Sequence, residues 1–137
     1  MNYTDLTDQE RELYLQALVS VARADEGLDA EEIAFLTDIA MGMGIPEAVI
    51  PTFLDKELLL SEIPPLHNAV GALLLRDMSA MAVINNELHE QEEAQILSIG
   101  EAMGFSSPEI EEFLNWAFMG LQWQLTSASL LRKYPTL

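Results

Sequence analysis

Residues 24–32 read ADEGLDAEE and place five carboxylates, Asp25, Glu26, Asp29, Glu31 and Glu32, around a single glycine. Oxygen-rich clusters of this kind suit hard cations such as calcium or magnesium. Asp25 and Glu26 stand out most. The spacing predicts them at the carboxyl end of a helix, where the helix dipole is negative and acids are unfavourable. Sixty residues on, the run INNELHEQEE presents Asn85, Asn86, Glu87, His89 and Glu90 at the corresponding place. The candidate metal ligands are therefore Asp25, Glu26, Asp29, Glu31, Glu32, Asn85 and Glu87, shared between two loops. The spacing is not that of an EF-hand. Counted from Asp25, the third position is Gly27, the sixth is Ala30 and the twelfth is Leu36, where that motif needs acid or amide, glycine and glutamate.

A capping role accounts for part of the same stretch without any ligand. Asp29 can accept the backbone N–H of Glu32, and Glu32 can reach back to the N–H of Asp29, with acids in the first turn complementing the dipole. The other residues that tempt are fewer. His67 and His89 are the two histidines, and neither belongs to a Ser-His-acid or paired-carboxylate spacing. Met41, Met43, Met78, Met81 and Met103 sit at helical spacing, which predicts core packing rather than a soft-metal site. Phe113, Trp116 and Trp123 form a stripe expected to pack in the core, with a dimer surface as the sharper alternative.

These residues need a scaffold, and the sequence describes one. Apolar residues recur at spacings of three and four, as in Leu13, Ala17 and Val21, and no stretch alternates like a strand. The fold class is all-α, a single-domain helical bundle over residues 1–137. A shift of 60 residues aligns 15–54 with 75–114 without a gap, and 11 of 40 positions match, among them Leu15/Leu75, Glu32/Glu92, Ile39/Ile99 and Gly44/Gly104. This predicts two tandem helical repeats, about 7–55 and 64–124. Within them, a first helix starts at Thr7 with Glu10 completing its cap and runs to about Asp25. A second spans Asp29 to Gly44, and its counterpart runs from His89 to Gly104. A short third helix lies near Pro46 to Leu54. Pro64-Pro65 opens a long helix reaching Asn85, and Ser107 with Pro108 opens the last one, which continues towards Trp123.

Composition narrows the function classes. The chain holds 23 acids against 6 bases, a net charge of −17. Such a surface repels phosphate backbones and anionic lipid, so nucleic acid is not an expected partner. A protein partner with a basic surface is. There is no cysteine, hence no thiolate chemistry and no disulfide. The N-terminal MNYTDLTDQERELY lacks the apolar core of a signal peptide, and the most apolar run is interrupted by Arg76 and Asp77. A cytoplasmic protein with no direct membrane insertion is expected.

VARADEGLDAEEIAFLTDIAMGMGI resembles the tellurite-resistance TerB family and the TerB-like domains of some bacterial co-chaperones and membrane-stress proteins. Ala24, Asp25, Gly27, Leu28, Glu31, Glu32, Ile39 and Gly44 carry the likeness. The resemblance implies a duplicated all-helical fold and a non-enzymatic binding or scaffold role linked to stress or tellurite resistance. It also implies a divalent cation, calcium or magnesium, at the acidic inter-helix loops. The reading from a different class is an enzyme with an acid/histidine site between the repeats.

Overall fold

The computed structural model describes residues 2–24, 27–54 and 56–134. Among them are six α-helices and no strand: α1 (Asp8–Ala22), α2 (Ala30–Gly42), α3 (Pro51–Leu54), α4 (Ala69–Ala82), α5 (Glu90–Met103) and α6 (Ser107–Leu131). Single 3-10 turns at Tyr3–Asp5, Glu47–Val49 and Leu60–Glu62 fill the connections. No helix among the described residues is long and apolar enough to cross a membrane.

Local chemistry sets most of the helix ends. Thr7 accepts from Glu10 N at 3.1 Å and Glu10 returns a bond to Thr7 N at 2.8 Å, so α1 starts on a complete capping box. Asp29/Glu32 and Ser106/Glu109 do the same for α2 and α6. At the other ends, Gly44 and Gly104 take left-handed conformations (φ 83° and 102°) that cost a glycine nothing. Ile45 N and Phe105 N each bond the carbonyl five residues back, Ala40 and Gly100, both at 3.0 Å. That is the Schellman closure of a helix.

Three boundaries differ from expectation. Pro64-Pro65 do not open α4. Asn68 does, accepting Val70 N at 3.0 Å and Gly71 N at 3.2 Å. The prolines lie on a non-helical stretch whose Leu66 N donates to Met103 O at 2.8 Å, and Ile63 and Leu66 are buried against the body. A residue before proline resists the helical conformation, which delays the helix start. Helices α1 and α4 also end early, at Ala22 and Ala82, and the short third helix is split into the Glu47–Val49 turn and α3.

Helices α1, α4 and α5 pack on one another, and α6 lies against α4 and α5. Leu15, Leu18, Leu74, Leu75, Met78, Met81, Ile96, Ile99, Met103 and Ile110 fill the space between them. Four of the methionines, Met43, Met78, Met81 and Met103, are core residues as expected, whereas Met41 is exposed. Close approach is enforced by two glycines. A Cβ on Gly100 would sit 2.6 Å from Ile110 Cδ1, and one on Gly71 would sit 1.9 Å from Leu66 O.

Candidate functional site

Two acid-centred places and one apolar surface compete for functional meaning. The first is the bend between α1 and α2. At Asp29, Oδ1 accepts Glu32 N at 2.8 Å and Oδ2 accepts Asn85 Nδ2 at 3.0 Å. Asn85 belongs to the bend before α5, so the two bends meet directly. The Glu32 N–H holds the Asp29 carboxyl below its ordinary value, and the Asn85 amide adds to this. Glu32 is buried at the third position of α2, with Oε1 accepting Asp29 N at 3.2 Å. Glu31 is exposed. Asn85 Oδ1 accepts Glu87 N at 3.3 Å, and exposed Glu87 pairs with His89 at 3.2 Å. Asn86 takes a left-handed conformation, φ 65°, that asparagine tolerates. Asp25 and Glu26, the two acids that motivated the cation reading, lie outside the described residues. Among the described residues no three acids or histidines converge on a point that could hold a metal. Of the seven predicted ligands, the structure thus joins Asp29, Glu32, Asn85 and Glu87 through hydrogen bonds to one another, with Glu31 beside them.

The second place was not singled out from the sequence, where Asp77 figured only as an interruption of an apolar run. Asp77 lies on α4 and is 4% exposed. Its Oδ2 accepts the hydroxyls of Tyr14 on α1 and of Tyr3, the latter at 2.6 Å. Its Oδ1 faces the Arg76 guanidinium, with Nε at 3.1 Å, and Arg76 also donates to the Tyr3 hydroxyl at 3.1 Å. The two tyrosine rings meet edge to face, centroids 6.0 Å apart. Burial, followed by the Asp77 carboxylate, pushes the Tyr3 hydroxyl up to about 12, and Tyr14 is raised further by the same causes. Neither tyrosine is poised to give up a proton at neutral pH. The knot fastens the N-terminal turn and α1 to α4.

The histidines fall apart. His67 precedes α4 rather than lying in its first turn, and its Nε2 meets Glu109 Oε2 at 2.9 Å on the surface. The Ser106 N–H, then His67, draw the Glu109 carboxyl down to about 2. His89 caps α5 at the far bend.

The third feature corrects an expectation. Trp116 and Trp123 do not pack in the core; they are 49% and 75% exposed. The face of α6 that is buried is Ile110, Leu114, Ala117 and Leu121. Beyond Leu121 every described residue of the helix is exposed, so its last turns stand clear of the body. Phe118, Met119, Leu125, Leu130 and Leu131 are exposed there too. Between α6 and the end of α4 runs a groove of about 570 Å³, lined by Val83, Ile84, Trp116, Gly120 and Trp123 among others and by no titratable side chain.

The chain matches no family model, no curated protein and no solved structure. Its function is therefore argued from its own geometry. The signal that could have found the α6 surface in advance is an absence. Residues 113–131 contain no charged side chain, in a protein of net charge −17. A face meant for water would carry some.

Proposed function

We propose that this protein is a non-enzymatic binding or scaffold protein of TerB-like kind, built from a doubled helical unit and working by holding another macromolecule. The observation that carries the reading is the exposed apolar half of α6 with its groove. It is large, it stands clear of the body, and no acid, base or nucleophile lines it. Surfaces of that kind mark association rather than bond-making. The doubled unit is supported by helix ends that recur 60 residues apart: Ala22 and Ala82, the caps Asp29 and His89, the stops Gly44 and Gly104. The acid-rich remainder suits a partner with a basic surface.

Capture of a partner by the intact chain, compared with Trp123→Glu, tests the reading. The expected result is a bound protein that the variant loses; identical capture by both removes α6 from the function. A lowered survival on tellurite when the chain is deleted tests the stress link.

A second reading, a divalent cation at the bends, has one observation in its favour. The Asp29–Asn85 contact brings both oxygen-rich loops together. Calcium or magnesium would draw its ligands from the acids and amides of the two loops, Asp25, Glu26, Asp29, Glu31, Glu32, Asn85 and Glu87. Calorimetric titration is expected to give heat at millimolar metal; no heat and no melting shift removes it.

A further inference from the structure

The charge of the chain is divided unevenly along its length. All 23 acids fall within residues 1–112, together with four of the six bases, which leaves that part at −19. Residues 113–137 carry only Arg132 and Lys133, +2. The apolar half of α6 is thus the one part of the protein that another acidic copy would attract rather than repel.

The helix is also complementary to itself when reversed. Glu109, Glu111 and Glu112 stand at its start, Arg132 and Lys133 at its end, and 19 uncharged residues lie between. Two such helices laid antiparallel put the acids of each beside the bases of the other and oppose their dipoles. Laying the two helices end to end puts the crossing point near Gly120, one residue from the middle of Ser107–Leu131. Among the described residues no close packing requires that glycine. It sits in mid-helix, where it costs roughly 1 kcal/mol relative to alanine, and a Cβ there would meet nothing within 4 Å. It shares a face with Trp116 and Trp123, four residues before and three after. A close helix–helix approach is what a glycine on that face permits.

The area is adequate. Trp116, Met119, Trp123, Leu130 and Tyr134 together expose on the order of 700 Å², near the roughly 800 Å² per partner of a standard interface.

We infer that the exposed face of α6 pairs with the same face of a second copy of this chain, antiparallel and crossing at Gly120. This rests on the reading of α6 as an association surface and names its occupant.

Sedimentation equilibrium on the full chain, from about 1 to about 500 µM, is the test, because a self-pairing constant appears as a concentration-dependent mass. The expected mass rises from 15.3 kDa towards twice that value. Trp123→Glu should weaken the dimer about 30-fold or more, as loss of a central aromatic anchor does. Gly120→Leu should weaken it while the dilute monomer keeps its helical circular dichroism, since a Cβ at this position meets nothing within 4 Å among the described residues and leucine is a good helix former. Lys133→Glu should weaken it too, and adding Glu112→Lys to the same chain should restore it, since these are the charged residues that flank the Trp116 and Trp123 face. A monomer at every concentration overturns self-pairing. So does a dimer that Gly120→Leu leaves intact or tightens, or one indifferent to the charge reversal. A monomeric chain that still captures a partner through Trp123 sinks this inference and spares the binding role. A dimer that captures nothing does the reverse.

Discussion

Asp77 and the Asp29 bend are both acidic, and they are used in opposite ways. The bend is crowded with carboxylates, is visible at a glance in the sequence, and spends its best-placed acids on helix caps and on one amide from the neighbouring bend. Asp77 stands beside a single arginine in an apolar helix. Yet it is the acid on which two tyrosines and a guanidinium converge. A buried carboxylate survives only with its hydrogen bonds made and its charge balanced, so its partners must be held in register by the whole fold. A capping carboxylate needs only its own helix. The difference teaches that acid density along a chain measures local capping and solvation, whereas long-range structural dependence collects at isolated acids.

That contrast can be broken by measurement. Asp77→Ala should be the costliest change, about 3 kcal/mol of unfolding free energy in urea, because it leaves the buried Tyr14 hydroxyl without its acceptor and removes the Arg76 ion pair. Tyr14→Phe removes one charge-assisted bond from the same group and should cost about 2 kcal/mol. Asp29→Ala should cost only about 1 kcal/mol, the usual worth of a helix cap. If Asp29→Ala proves as damaging as Asp77→Ala, the bend is more than a pair of caps. The smallest effect concerns pH. Glu109 is held down to about 2 in the folded chain against 4.5 ordinarily, so its stabilising charge is present above pH 4.5 and lost as pH falls through 2. The melting-temperature difference between wild type and Glu109→Gln should follow that window, and a difference independent of pH would contradict it.

The sequence made the local chemistry legible. The Thr7/Glu10 and Asp29/Glu32 boxes, the Gly44 and Gly104 stops and Pro108 in the first turn of α6 are all decided within five residues, and all are found in place. What it hid depends on distance. Tyr14 and Tyr3 reach Asp77 across 63 and 74 residues, which no window on the chain can reveal. Asn68 outcompeted Pro64-Pro65 as the start of α4 because the preceding stretch found a backbone partner at Met103. In α6, apolar residues run along two faces, and periodicity cannot choose between them. Packing on α4 and α5 selected Ile110, Leu114 and Ala117 and left Trp116 and Trp123 outside. The cation reading rests on the sequence alone, since Asp25 and Glu26 lie outside the described part of the bend.

The root of α6 is fastened on three sides, by the Ser106/Glu109 box, by His67, and by Ile110 seated against Gly100. Among the described residues, those of the helix beyond Leu121 are all exposed. The free rod is the ten residues after Leu121, about 15 Å, and a slight tilt of the seated part swings its far end. The aim of Leu130 and Leu131 is therefore set by the seat of Ile110, Leu114, Ala117 and Leu121, so substitutions there would misdirect a contact they never touch.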